Sequence, residues 1–307
     1  MAPVNAAPVN AASLASATVT AGPVAGAPAR WLFRPVPHGR IALLRTVAYL
    51  FVPVDVLLTT PWVAAHAQVP GTLYQPLLIG RLLHLPTPGP WVEALRWVLV
   101  VVSLAAASGR LPRLFGGLVA VLYLEWMVVA FSYGKVDHDR VAFLVLLAVL
   151  PTVGRARFGD RHRSDAAGWA VGMTTLAVVA TYFLSALAKL RFGGADWVDG
   201  ATLTRAVVRR GTWLSTPLLD HAWVLHAFQY VLIGVELLIS PLLLVRWRDE
   251  RRTWLLVGGF YLFHVMTFLT ISIVFLPHCV ALLALLPLEQ FAVRRGAPVA
   301  IPEPVAA

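Results

Sequence analysis

The chain has 307 residues, of which 59% are hydrophobic and only 13% are charged, and its mean hydropathy is +0.75. Soluble domains carry about 25% charged residues, so these values exclude a soluble globular protein and indicate that a lipid bilayer surrounds most of the chain. The net charge of +10 is then typical of arginines held in cytoplasmic loops, and nucleic acid is excluded as a partner. The single cysteine excludes an internal disulfide and a thiolate metal site, and no metal is expected.

The two ends of the chain are rich in alanine and proline. The segment 1–37 begins with a repeated APVNA and has no charged residue before Arg30. This pattern favours a disordered tail over a secretory signal, which needs a basic start. A similar tail is expected over 293–307. The sequence therefore predicts one transmembrane domain over 38–292 between two disordered tails.

Eight apolar segments are candidates for membrane-spanning helices, because roughly 20 apolar residues cross the core of a bilayer. They lie near 41–59, 91–108, 112–132, 139–153, 166–189, 223–245, 254–274 and 276–291. The loops 61–90 and 190–222 mix aromatic and apolar residues and are expected to lie at the membrane surface. The predicted fold is an all-α integral membrane protein, a bundle of about eight transmembrane helices with interfacial outer loops.

The distribution of lysine and arginine predicts the orientation in the cell membrane. If the N-terminus is cytoplasmic, fifteen of the 25 basic residues fall in inner segments, among them the runs RARFGDRHR and RWRDERR. We therefore expect a multi-pass protein with both termini in the cytoplasm. The basic runs are interpreted as orientation signals, and a site for lipid head groups is the less favoured alternative.

Ionisable residues inside the predicted spans are few, and each needs a partner or a function because charges in a membrane are costly. The candidates for a buried polar network are Arg45, Glu125, Glu236 and His264. Glu236 lies in the middle of its span and is expected to pair with Arg45 or His264. Asp55 lies one turn from the end of the first span, where its carboxylate can extend to the head groups.

Lys189 lies at the outer end of the fifth predicted span, and two roles are open for it. A lysine in this position usually extends to the head groups as an anchor. However, Ser185 lies one turn earlier on the same helix face, and Leu187 and Leu190 keep the surroundings apolar. Such surroundings permit a neutral amine, which is a competent general base.

The segment around Lys189, TYFLSALAKLRFGGADWVDGATL (181–203), carries a family resemblance. It is similar to the signature of the horizontally transferred transmembrane (HTTM) domain, the membrane part of the vitamin K-dependent gamma-carboxylase and of many bacterial relatives. The shared elements are an aromatic-rich helix ending in small residue–Lys–Leu, a short polar link, and Trp-x-x-Gly. Weaker matches follow in order along 38–292, namely LLRTVAYLFVPVDVL, HDRVAFLVLLAVLP, VELLISPLLL and FHVMTFLTISIVFLPHCVALLALL.

The resemblance implies a bundle of eight or nine helices with its site at the outer face. In the carboxylase, a lysine at the position of Lys189 deprotonates the vitamin K hydroquinone, which starts the carboxylation of a substrate glutamate. Carried over to this chain, Lys189 would be the catalytic base and His138 an auxiliary catalytic residue. Trp197 and Gly200 would shape the pocket that Ser185 faces. The implied cofactor is a membrane quinol, either menaquinol or a vitamin K-like molecule.

Two departures from the carboxylase pattern keep a second function open. The large lumenal domain that engages the protein substrate does not follow the last predicted span, and the Lys–Lys pair is Ala188–Lys189 here. The alternative is an SdpB-like membrane partner in the maturation or export of a secreted peptide, without carboxylase activity. A second membrane or soluble subunit would suit that function. A small transporter is less favoured because no inverted repeat is apparent.

Overall fold

A computed structural model describes residues 26–134, 136–245 and 249–293 of the chain. Within these residues it contains twelve α-helices: α1 Ala27–Leu32, α2 His38–Val54, α3 Leu78–Leu82, α4 Trp91–Ala107, α5 Pro112–Phe131, α6 Val141–Val149, α7 Asp165–Asp199, α8 Thr202–Arg210, α9 Ala222–Gly234, α10 Glu250–Ile271, α11 Leu276–Leu282 and α12 Glu289–Val293. Two short strands, β1 Val36–Pro37 and β2 Arg163–Ser164, pair antiparallel. The described part of the chain is therefore almost entirely helical, as the sequence predicts.

Five helical segments of the described chain are long and apolar enough to cross a bilayer. They are His38–Thr59, Pro112–Phe131, Asp165–Asp199, Thr216–Leu244 and Glu250–Ile271. The other three predicted spans correspond to shorter helices, since α4 has 17 residues, α6 has nine, and the last apolar helix covers Leu276–Leu285. An all-α membrane protein with five candidate spans fits this structure, and the count of eight stays a prediction.

The helices pack tightly on one side of the bundle and loosely on the other. On the tight side, α2, α4, α5, α6 and α7 surround a core in which Tyr49, Trp126 and Phe143 are fully buried. In the most apolar part of Thr216–Leu244 and of Glu250–Ile271, only 22% of the residues are buried, against 50% or more in the other candidate spans. These two last spans thus expose most of their apolar surface, which suits contact with lipid.

Loops that the charge pattern assigns to the cytoplasm lie together at one end of the bundle, here called the arginine-rich end. Arg40 donates two hydrogen bonds of 2.8 Å to the carboxylate of Glu289. Burial alone would raise the pKa of Glu289, but the hydrogen bonds and positive charge of Arg40 lower this pKa overall. The backbone amide of His38 donates to the carbonyl of His162 over 2.8 Å. The starts of α2 and α7 are thereby joined at this end.

The remaining loops meet at the opposite end, here called the loop-rich end. The backbone amide of Gln75 donates to the carbonyl of Ser132 over 2.9 Å. The hydroxyl of Ser215 donates to the carbonyl of Thr270 over 2.6 Å. Each of the five long segments therefore runs from one end of the bundle to the other, as expected of helices that cross a membrane. Which end faces the cytoplasm stays a prediction.

Part of the segment assigned to the N-terminal tail is folded. Residues 26–37 form α1 and β1, and the indole nitrogen of Trp31 donates to the carbonyl of Leu244 over 2.8 Å. This segment crosses α7 at Gly168, where a Cβ atom would lie 2.2 Å from the carbonyl oxygen of Arg34. The disorder expected of 26–37 is therefore wrong, because backbone pairing and this close crossing hold the segment. The other residues assigned to the tails, 1–25 and 294–307, lie outside the described residues.

Candidate functional site

A cavity of about 250 Å³ lies between α7, α8, α9 and α10, toward the loop-rich end. Its lining residues are His138, Asp139, Thr181, Tyr182, Ser185, Lys189, Trp197, Thr202, Leu203, Ala206, Gln229, Leu232, Glu236, Phe263, His264, Thr267, Ile271, Ile273, Phe275 and His278. Aromatic and aliphatic side chains form much of the wall, and a few polar groups converge on it. This combination is typical of a site for a small molecule.

Lys189 points into the cavity and forms an ion pair with Glu236. Its Nζ atom lies 2.5 Å and 2.6 Å from the two carboxylate oxygens of Glu236. The two side chains are 22% and 7% exposed. The partners expected for Glu236, Arg45 and His264, are therefore wrong, because the packing of α9 against α7 places Lys189 opposite the carboxylate.

Glu236 lies in a π-helical turn, Val235–Ile239, that continues α9. A π-helical turn holds one more residue than an α-helical turn, and such turns are frequent at functional sites. The hydroxyl of Ser240 donates to the backbone carbonyl of Glu236 over 2.6 Å and satisfies this oxygen. The turn presents the carboxylate to α7 rather than to the lipid side of the helix.

Two glycines bring Trp197 back over Lys189. At Gly194 the helix α7 breaks with φ 59° and ψ −155°, a left-handed conformation that favours glycine. At Gly193 a Cβ atom would lie 2.7 Å from the Cβ atom of Trp197, so a larger residue would collide with it. The Nζ atom of Lys189 consequently lies 5.3 Å from the centre of the Trp197 ring, which is a cation–π distance.

His138 and Ser185 meet at the rim of the cavity. The Oγ atom of Ser185 lies 3.5 Å from Nε2 of His138. The ring of His138 also lies 6.3 Å from the ring of Phe275. His138 is exposed as a whole residue, so it forms the mouth of the cavity rather than its interior.

Most of the residues predicted for the site line the cavity. These are Lys189, His138, Ser185 and Trp197. Gly200 is not among the lining residues, but its position allows no side chain, since a Cβ atom there would lie 2.4 Å from the carbonyl oxygen of Asp196. Gly200 therefore shapes the segment that carries Trp197.

The predicted polar network of four residues does not form a single cluster. Arg45 donates from Nη2 to the carbonyl of Leu150 over 2.8 Å, in the tight half of the bundle. Glu125 is half-buried on α5, and only Glu236 and His264 line the cavity. The four residues lie on different helical segments. Which way each side chain points depends on how these segments rotate against one another, and the sequence does not show this rotation.

His278 lines the cavity beside His138 and His264, but the sequence pattern assigns it no role. His278 is 1% exposed, and neither of its ring nitrogens has a hydrogen-bond partner in the described part of the chain. Its ring lies 4.6 Å from Tyr182, whose hydroxyl lies 2.7 Å from Nε2 of His264. Buried polar atoms normally have partners, so His278 is the residue best suited to bind a polar atom of a ligand. Among the described residues, no group of three or more metal-binding side chains is arranged to hold a metal ion.

Asp55 forms a second buried ionic cluster. Its carboxylate accepts hydrogen bonds from the hydroxyl of Tyr123 over 2.8 Å and from Nη2 of Arg140 over 3.3 Å. Asp55 is 0% exposed, so the expected extension to the head groups is wrong. The π-helical turn Asp55–Thr59 directs the side chain inward. Arg140 lies 3.4 Å from Asp139, which joins this cluster to the cavity wall.

Replacing Tyr123 with phenylalanine is expected to lower the free energy of unfolding by about 1–3 kcal/mol, because the buried carboxylate of Asp55 loses a hydrogen bond. Tyr49→Phe is the matched control. The Tyr49 hydroxyl is buried without a hydrogen-bond partner in the described chain, so its removal should be neutral or stabilising. Thermal unfolding in detergent measures both variants. Equal losses would contradict the role given to the Tyr123–Asp55 bond.

Fold and site together define an all-α membrane protein with a mostly apolar cavity. The cavity contains an amine–carboxylate pair, and an indole ring covers the amine. Comparisons with protein-family models, with curated proteins and with solved structures find no match to the chain. The resemblance to the HTTM family is therefore supported only by the motifs quoted above, and the function that it implies is a proposal.

Proposed function

We propose that this chain is a multi-pass protein of the cell membrane that binds a quinol in the cavity and uses Lys189 as the base that takes a proton from it. The observation that carries the proposal is the ion pair of Lys189 with Glu236 inside the cavity. A lysine that served only as an anchor would extend to the head groups. The proposal includes the outward orientation of the loop-rich end, with both termini in the cytoplasm and the shorter helices as further spans.

The lining residues fit an aromatic head group. Tyr182, Phe263 and Phe275 contribute ring surfaces to the wall, and aromatic rings favour stacked or edge-to-face contacts with one another. Both ring nitrogens of His278 and Nδ1 of His264 have no hydrogen-bond partner in the described part of the chain, and both residues line the cavity, so these atoms are available to bind a ligand oxygen. When bound, a quinol supplies two hydroxyl groups and the two electrons that are released on its oxidation.

The Lys189–Glu236 pair supplies the proton chemistry. Proton transfer along their hydrogen bond converts an ammonium and a carboxylate into a neutral amine and a carboxylic acid, with no net change of charge. The Nζ atom can then accept the proton of a ligand hydroxyl and return to the ammonium form. Trp197 covers this ammonium and limits contact with water. His138 can hold or pass on a proton at Nε2 at the mouth of the cavity.

Solvent extraction of the purified protein, followed by mass spectrometry, tests whether it binds a quinone. Ala206→Trp places a large ring in the cavity from α8 and should reduce the bound quinone about tenfold. Ala65→Trp, at an exposed position of the long loop, is the control and should bind as the wild type does. No quinone in the wild type, or equal amounts in both variants, would contradict the proposal.

A further inference from the structure

Gln229 joins α9 to the link between α7 and α8. The side chain is 1% exposed. Its Nε2 atom donates to the carbonyls of Val198 over 2.6 Å and Gly200 over 2.9 Å. Its Oε1 atom accepts a hydrogen bond of 2.6 Å from the backbone amide of Leu203. Nε2 also lies 3.4 Å from the carbonyl of Trp197. Since a side-chain amide has two N–H donors, this buried side chain makes three short hydrogen bonds to the backbone of a single link.

These backbone groups are the ones that a helix leaves without partners. The last carbonyls of an α-helix and its first amides have no intrahelical hydrogen bonds. Val198 and Gly200 stand at the end of α7, and Leu203 stands in the first turn of α8. Gln229 therefore satisfies the end of one helix and the start of the next, which fixes the course of residues 194–203, here called the covering segment.

The covering segment carries Trp197 over the amine of Lys189. Gln229 and Glu236 lie seven positions apart and both line the cavity. Residues at this spacing share one face of a helix. A single helical face thus holds the carboxylate that pairs with Lys189 and the amide that holds the segment above it.

We propose that Gln229 is a positioning residue that keeps the covering segment closed over Lys189 and so controls which molecules reach the amine. The inference rests on the proposed function for the chemical role of Lys189. The closure itself follows from the three hydrogen bonds of Gln229 and the position of Trp197. Loss of these bonds should open the segment without removing any group that lies against the amine.

Acylation of the amine of Lys189 measures how accessible this amine is. The chain contains only two lysines, Lys135 and Lys189, so Lys135 serves as the internal reference. A water-soluble acetylating ester is applied to the protein in detergent, and peptide mass spectrometry gives the ratio of acetylation at Lys189 to that at Lys135. Gln229→Met keeps the length of the side chain but loses all three hydrogen bonds. The ratio should rise about tenfold. Gln75→Met makes the same change at an exposed glutamine and should leave the ratio unchanged.

Gln229→Glu provides a second test if Gln229→Met does not fold. It keeps an acceptor for Leu203 but sets a carboxylate oxygen against the carbonyls of Val198 and Gly200, so the ratio should also rise. An unchanged ratio in every folded Gln229 variant overturns the inference. The readout needs no quinol, so it is separate from the base hypothesis. A raised ratio combined with a fully active Lys189→Arg variant would support the covering role of Gln229 and reject Lys189 as a base. An unchanged ratio combined with an inactive Lys189→Arg variant would reject the covering role and support the base.

Discussion

Lys189→Arg is expected to abolish quinol turnover while the folded yield stays close to that of the wild type. Arginine keeps the positive charge and can still pair with Glu236, but a guanidinium does not release its proton in a protein. A positioned general base contributes about 10²–10⁴-fold to a rate. The oxidation of a short-tailed naphthoquinol by dissolved dioxygen, which accepts the two electrons and two protons to give hydrogen peroxide, should therefore slow by that factor. The absorbance of the quinone follows this reaction in detergent.

Arg191→Lys is the matched control, because Arg191 is exposed two positions further along α7. This variant should keep the wild-type rate. Full activity of Lys189→Arg would instead show that the lysine only clamps α7 to α9. An SdpB-like membrane partner of a secreted peptide would then become the favoured function, since that function needs no base at this position.

Lys189→Met is expected to lower the free energy of unfolding by about 3–5 kcal/mol, because it leaves the buried carboxylate of Glu236 without its charged partner. Glu236→Leu should cost a similar amount, since it leaves the ammonium of Lys189 unpaired. Replacing a buried ion pair by apolar residues is often neutral or stabilising. The double variant should therefore be more stable than either single variant.

Unfolding of the four proteins in a mixed detergent series gives the coupling between the two side chains. Glu236→Gln adds a check on charge, because it keeps the shape and a hydrogen-bond acceptor for Lys189. It should be tolerated better than Glu236→Ala. A double variant that loses the sum of the two single losses would show that the pair is not coupled and would remove the physical basis of the site.

The class of the protein follows from its sequence with little ambiguity. A bilayer requires long apolar runs, which are visible in composition and hydropathy, and it requires internally satisfied backbone groups, which favours a helical conformation for runs of this length. Segment lengths are less visible. The predicted span 139–153 contains only nine α-helical residues, because a 3₁₀ turn begins at Leu150 with Pro151 in its first turn.

The site is predictable only in part, for a different reason. The apolar neighbours of Lys189 and the signature around it indicate an inward amine, and the structure places the amine inside the cavity. The partner of Lys189 lies 47 positions away, and nothing in hydropathy reports how two helices rotate against each other. The sequence does not indicate the role of Gln229 either, since a single glutamine is common in an apolar helix and does not show which groups it binds.

Two of the buried carboxylates, those of Asp55 and Glu236, stand in π-helical turns with the same local chemistry. Asp55 opens Asp55–Thr59, and Glu236 is the second residue of Val235–Ile239. After each turn comes a hydroxyl residue that binds the acid's own backbone carbonyl, Thr60 over 2.9 Å and Ser240 over 2.6 Å, and then a proline.

The direction of each acid therefore depends on the number of residues in its turn as well as on their identity. Removing one residue would restore the α-helical spacing and rotate the rest of the helix by about 100°. A chain of this kind can gain or lose an inward carboxylate by an insertion or deletion within an apolar helix, with every polar residue left in place.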